Sequence, residues 1–160
     1  MALRRLIPMA LLSAAAAGDL LGYRFLNDKT EIKLPLVAGC ALHLEACTAD
    51  LPGGGQMTFE INPKRPSPTD PLRLNASFEQ VEPKVVGVRF KGVDMNMGYL
   101  EHYVFDLERD ATGAKAASFS GNAGVFVCSS NLMQWLVLVK LQLGATRYEV
   151  PFRFETQLRG

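Results

Sequence analysis

After about residue 30, apolar and polar residues alternate with a period of two along most of the chain. Alternation places every second side chain on one face of an extended strand, so that each strand can bury one face and expose the other. No sustained helical period occurs in this part of the chain, which predicts an all-β fold. The alternating runs are Met57–Ile61, Leu72–Phe78, Val86–Phe90, Tyr103–Leu107, Val125–Val127, Trp135–Leu143 and Tyr148–Phe154.

Turn-forming residues separate these runs. Gly53–Gly55 follow Pro52, Asn62–Pro71 contains four prolines, Asp110–Gly113 has the composition of a hairpin turn, and Gly144 predicts a tight turn. Short strands separated in this way are typical of an immunoglobulin-like antiparallel β-sandwich with Greek-key connections. We expect seven or eight strands in a single domain, residues 27–160, with one strand in the segment Cys40–Cys47.

Residues 1–26 have a different composition. Arg4 and Arg5 precede an apolar run, Leu6–Ala17, which ends in small residues. A basic start, a short apolar stretch and an Ala-x-Ala ending are typical of a cleaved signal peptide. A longer helix continuing past Asp19 would instead form an uncleaved membrane anchor, at an insertion cost of roughly 2.5–3.5 kcal/mol for a central carboxylate. Both interpretations place the domain in the periplasm or on the extracytoplasmic face of the inner membrane; the third alternative is a buried helix of a cytosolic domain.

Charge and motif content argue against several functions. The chain has 17 basic and 16 acidic residues, interleaved along its length, so it lacks the basic stripe that a nucleic-acid surface needs. The two histidines, His43 and His102, are too few for a multi-histidine zinc site. Cys128 with a histidine could form a nucleophile pair, but the residues around Cys128 do not match the flanking sequence of a known catalytic-cysteine family. We therefore do not expect an enzyme.

The three cysteines are Cys40, Cys47 and Cys128. An extended chain would hold Cys40 and Cys47 too far apart for a disulfide, whose Cα atoms lie about 4.4–6.8 Å apart. Either the segment folds back as a tight hairpin and forms a structural bridge, or both thiols stay free. A redox or metal-binding pair lacks the Cys-x-x-Cys spacing. We expect the bridge, which leaves Cys128 as an odd thiol.

Sulfur-bearing residues occur in two segments near predicted turns. Met95 and Met97 follow the strand that ends at Phe90, and Cys128 and Met133 flank the turn before the next long strand. In a Greek-key sandwich, loops from separate strand pairs gather at the ends, so the two segments could converge. Thiolate and thioether ligands select Cu(I), which predicts a Cu(I) site formed by these four residues. His102 is a weaker candidate for a nitrogen ligand.

A structural interpretation of the same residues stays open. Methionine commonly fills gaps in protein cores, and a single cysteine often behaves as a small buried hydrophobe. By default His102 is a surface residue and His43 is structural or exposed. Trp135 has core packing as its default role, and shielding of a copper site is the alternative.

These segments resemble small bacterial envelope β-sandwich proteins, the YtkA-like and FixH-like proteins. The resemblance lies in the export segment, the Cys-x6-Cys hairpin, the run Phe90–Gly98 and the later run from Cys128 through Met133 to Trp135. It implies a periplasmic protein of copper trafficking, tolerance or oxidase assembly, with an envelope copper protein or an oxidase subunit as partner. The chain lacks a His-rich or Met-rich tail and a histidine within the Met-x-Met turn, which leaves Cu(I) rather than divalent copper.

A second hypothesis belongs to another functional class. The domain could be a metal-free immunoglobulin-like module that docks on another envelope protein through an exposed face. This hypothesis predicts an exposed apolar patch larger than a few hundred Å², and it predicts sulfur atoms that lie far apart.

Overall fold

The computed structural model describes residues 31–111, 116–126 and 130–159. The predicted signal peptide or anchor, residues 1–26, lies outside them. The described residues belong to one compact unit that begins at Glu31. Within these ranges, no helix combines the length and the apolar character needed to cross a membrane.

The unit is built from β-strands, which confirms the all-β prediction. A single 3-10 helix, Gly98–His102, lies between the fifth and sixth strands of the described chain. The strands are β1 (Glu31–Lys33), β2 (Cys47–Asp50), β3 (Gln56–Asn62), β4 (Leu72–Glu79), β5 (Val86–Gly92), β6 (Phe105–Arg109), β7 (Ala117–Ala123), β8 (Leu132–Leu143) and β9 (Thr146–Gln157).

The nine strands form one mixed sheet in the order β1-β9-β8-β5-β6-β7-β4-β3-β2. All neighbouring strands are antiparallel except β1 and β9, which are parallel. The sequence predicted two separate antiparallel sheets with seven or eight strands in all. The structure instead joins the two halves into one sheet through β6. Its first part pairs with β5, where Phe105 lies opposite Val88, and its end pairs with β7, where Glu108 lies opposite Ser120. Hydrogen bonding therefore continues from one half of the sheet to the other.

The sheet curls so that its two halves face each other across the core. Phe59 on β3 and Phe152 on β9 stack with ring centroids 5.9 Å apart, although their strands belong to opposite halves. The alternating residues of the sequence supply this core, as expected from the strand period. Its largest fully buried side chains include Trp135, Phe59, Phe78, Phe152, Phe154, Leu42, Met57 and Ile61.

One edge of the curled sheet is covered by the first described residues. The backbone N–H groups of Leu34, Val37 and Leu42 donate to carbonyl oxygens of β9 at 2.9, 3.0 and 3.0 Å. The disulfide Cys40–Cys47 follows, with a Cα–Cα distance of 5.8 Å, and confirms the predicted bridge. The bridge joins the segment along β9 to β2, which pairs with β3 in the other half. It therefore ties the two halves together at their open side.

Candidate functional site

The segment of Met95 and Met97 begins near Met133, at one end of the β5–β8 pair. These strands are antiparallel neighbours, and Gly92, the last residue of β5, lies opposite Trp135. One residue further, the N–H of Val93 donates to the carbonyl oxygen of Gln134 at 3.0 Å. The chain leaving β5 toward Met95 and Met97 therefore starts beside the chain entering β8 at Met133.

Gly92 permits a close approach between these segments. A Cβ atom at this position would lie 2.5 Å from the carbonyl oxygen of Met95 and 3.4 Å from the terminal methyl carbon of Met133. The backbone of Met95 thus folds back over Gly92, and the Met133 side chain reaches the same place from β8. Residue 92 can accept this turn because it has no side chain.

The three methionines differ in solvent exposure. Met133 is 5% exposed and belongs to the core, whereas Met95 is 39% exposed at the surface of the turn. Met97 is half-buried and packs against the core. The environment of Met133 agrees with the structural interpretation of methionine as a gap filler, and the exposure of Met95 does not.

Hydrogen bonds hold the turn between Met95 and the 3-10 helix. The N–H of Met97 donates to a carboxylate oxygen of Glu101 at 3.0 Å. The N–H of Gly98, which has a positive φ of 59°, donates to the side-chain oxygen of Asn96 at 2.7 Å. These bonds fix the backbone on both sides of Met97 without using its thioether.

The remaining candidate ligands lie in different situations. His102 is exposed at the end of the 3-10 helix. Cys128 lies outside the described residues, so its place in the donor set stays a prediction. Within the described ranges, no group of three or more His, Cys, Asp and Glu residues is placed to hold a metal ion.

Trp135 is a core residue with a satisfied polar group. Its side chain is almost fully buried, and its indole N–H donates to the hydroxyl of Thr156 at 3.1 Å. Met133 lies two residues earlier on the same face of β8, and both side chains are buried. Packing therefore accounts for Trp135, as the default interpretation expects.

Exposed apolar residues surround the turns, and the alternation pattern did not indicate all of them. The alternation pattern predicts that Tyr103, Phe105 and Leu107 form one face of a strand. In the structure β6 begins only at Phe105, and Tyr103 is exposed. Tyr99 is 83% exposed on the 3-10 helix. Val93 and Leu132 are also exposed, beside the junction of β5 and β8.

No protein-family model, no curated protein and no solved structure matches this chain. The resemblance to the YtkA-like and FixH-like proteins therefore remains a hypothesis based on short motifs.

Proposed function

We propose that this protein binds Cu(I) outside the cytoplasm and serves copper trafficking, copper tolerance or oxidase assembly. The donor set is Met95, Met97, Met133 and Cys128, and His102 is the weaker candidate for an additional ligand. Copper is the cargo of the protein in this proposal. The receiving partner is an envelope copper protein or an oxidase subunit.

The observation that carries the proposal is the close approach at Gly92. The Met133 methyl group and the Met95 backbone both reach this residue, so two segments separated by some 35 residues of sequence bring methionine to one end of the molecule. Three of the four proposed donors, Met95, Met97 and Met133, lie in the described parts of these two segments. Soft sulfur donors of this kind favour Cu(I) over harder divalent ions.

Two further observations support an extracytoplasmic location and a sandwich architecture. The Cys40–Cys47 disulfide is typical of proteins in oxidising compartments. The facing halves of the curled sheet, with Phe59 stacked on Phe152, support an immunoglobulin-like arrangement. Export by a cleaved signal peptide or retention by an anchor is part of the same proposal.

A competition titration tests the proposal. Purified protein is titrated against a colorimetric Cu(I) chelator under anaerobic conditions, and we expect uptake of one equivalent. The double variant Met97→Leu/Cys128→Ser should lose this uptake, and Met133→Leu should weaken it. Met57→Leu is the matched control because Met57 is fully buried on β3 and outside the two segments. Normal uptake by the double variant would exclude the assigned site.

A metal-free interaction module is the second candidate function. The exposed residues Val93, Tyr99, Tyr103 and Leu132 favour it, because aromatic and aliphatic side chains at a surface commonly mark interaction sites. The titration separates the two candidates. If the unaltered protein takes up no Cu(I), the interaction module is the better account of this end of the molecule.

A further inference from the structure

A cavity of about 360 Å³ opens beside the end of β9, and Leu132, the residue before Met133, forms part of its wall. Four parts of the chain form its wall: the turn closed by the disulfide, the loop after β3, the start of β8, and the end of β9 with the residues that follow it. Its size is in the range of small-molecule sites. The lining residues that matter here are His43, Leu44, Arg65, Leu132, Glu155 and Leu158.

Arg65 adopts a backbone conformation that favours glycine. Its φ is +51°, in the left-handed region, which costs roughly 1–2 kcal/mol for a residue with a Cβ atom. The backbone is held by hydrogen bonds on both sides. The N–H of Arg65 donates to the carbonyl oxygen of His43 at 2.7 Å, and its own carbonyl accepts from the Arg159 guanidinium at 3.3 Å. The bonds therefore hold a backbone that is costly for arginine at the wall of this cavity, and such strain is often found at functional sites.

The charges on the lining leave Arg65 uncompensated. Arg159 forms an ion pair with Asp70 at 2.9 Å, and the Nε2 atom of His43 lies 3.6 Å from a carboxylate oxygen of Glu155. Among the residues that the structure describes, no carboxylate pairs with the Arg65 guanidinium. The His43 Nδ1 atom is buried without a hydrogen-bond partner in the same part of the chain. Within the described residues, the cavity wall therefore holds a guanidinium without a carboxylate partner and a ring nitrogen without a hydrogen-bond partner.

Apolar side chains face solvent at the same cavity. Leu44 and Leu132 are about half exposed, and Leu158, also in the lining, is half-buried. A ligand that covers these leucines needs an apolar body. A ligand that uses Arg65 needs an anionic group that accepts two N–H bonds from a guanidinium, as a carboxylate does.

We propose that this cavity binds an amphipathic monocarboxylate, that is, an apolar body ending in one carboxylate. The guanidinium of Arg65, which has no carboxylate partner among the described residues, can donate two N–H bonds to a single carboxylate. A phosphate dianion is less suitable because Glu155 and Asp70 lie close to the cavity. The same chemistry occurs in a free fatty acid and in the carboxyl terminus of a peptide with an apolar last residue.

NMR chemical shifts of the 15N-labelled protein test the proposal. The probes are octanoate and N-acetyl-leucine, and the neutral controls are octanamide and N-acetyl-leucinamide. We expect saturable shifts at Leu44, Arg65 and Leu158 with at least one carboxylate, and no saturation with the amides. Saturation by octanoate alone indicates a fatty acid, and saturation by N-acetyl-leucine alone indicates a peptide terminus; either result supports the proposal.

Two arginine variants locate the charge that is recognised. Arg65→Gln should weaken carboxylate binding about tenfold or more, as expected for loss of a charged hydrogen-bonded pair. Arg147→Gln, at an exposed position near the other end of β9, should leave it unchanged. Arg65→Gly, which suits the positive φ, keeps the test valid should the glutamine variant fold poorly. Absence of saturation, equal binding of the amides, or undiminished binding by both Arg65 variants would overturn the proposal.

Discussion

At the scale of single residues, Gly92 determines how the two methionine segments meet. The position is buried between the backbone of Met95 and the side chain of Met133. Any side chain there requires one of these neighbours to move. The backbone of Met95 is the more resistant neighbour, because the following turn is fixed by the hydrogen bonds to Glu101 and Asn96.

We therefore expect Gly92→Ala to destabilise the protein by about 1–3 kcal/mol, the usual cost of overpacking. The turn that carries Met95 should shift, and Cu(I) affinity should fall with it. Gly124→Ala is the matched control because a Cβ at Gly124 meets no atom within 4 Å. Denaturant unfolding and the chelator titration measure both effects. Equal stability of the two variants would contradict the close approach at Gly92.

Some features of single residues could be predicted from the sequence. The bridge between Cys40 and Cys47, expected for two nearby cysteines of an exported domain, is confirmed. The positive φ of Arg65 could not be predicted from the sequence, because arginine is not a residue type that commonly adopts positive φ in turns. The exposure of Tyr99 also depends on tertiary packing, which a local pattern does not contain.

At the scale of elements, the segment from β1 to the disulfide closes an edge of the sheet. It makes backbone hydrogen bonds to β9 and then crosses to β2 through Cys40–Cys47. Covering and tying down an edge protects it from pairing with other chains. The loop closed by the disulfide is short, so the bridge should increase the free energy of unfolding only moderately.

Removing the bridge with Cys40→Ala/Cys47→Ala should lower the free energy of unfolding by about 2–3 kcal/mol in the chain-entropy model. Urea unfolding of the variant against the unaltered protein measures the difference. Thiol counting on the oxidised, unfolded chain provides the control, with one reactive thiol expected, that of Cys128. Three reactive thiols would contradict the bridge.

The docking of β1 should depend on pH. Glu31 receives two hydrogen bonds from the Lys140 ammonium, at 2.7 and 3.0 Å, and Lys140 also lies 3.4 Å from Glu149. Partial burial works to raise the pKa of Glu31, but the hydrogen bonds from Lys140 and the charges of Lys140 and Arg89 lower it below its ordinary value of 4.5. Because its pKa is lowered in the folded state, the Glu31 carboxylate contributes to stability above pH 4.5. This contribution is lost as the pH falls through the folded-state pKa.

We expect the hydrogen-exchange protection of the Leu34 amide, which donates to Glu149, to fall at pH 3 relative to pH 6. In Glu31→Gln this amide should be less protected at pH 6 and should lose less on acidification. Protection factors, corrected for intrinsic exchange, measure the change. An identical pH dependence in the variant would show that Glu31 does not hold the segment.

Alternation predicted most strands well and missed the elements that do not alternate. The runs that became β3, β4, β5, β8 and β9 each bury one face in the structure. β1 was not predicted, because all three of its residues are exposed and its strand character comes from pairing with β9. Pairing of this kind depends on a distant partner and has no local signature.

At the scale of the whole molecule, the strand order was beyond the sequence pattern. A period of two assigns faces to each strand, but it does not say which strands are neighbours. The connection of both halves through β6 depends on pairing at Val88 and at Ser120, residues far apart in the chain. The segments of Met95 and Met133 approach each other at Gly92 because β5 and β8 are neighbouring strands, and the convergence of all four proposed donors stays a prediction.

X-ray absorption at the copper edge tests the proposed function most directly, because it identifies the atoms bound to the metal. For the protein loaded with one equivalent of Cu(I), the account predicts sulfur neighbours only or a majority of sulfur. Met133→Leu should reduce the sulfur signal, and Met57→Leu should not change it. A copper ion bound mainly by nitrogen or oxygen, or a spectrum unaltered in Met133→Leu, would contradict a site built from the two methionine segments.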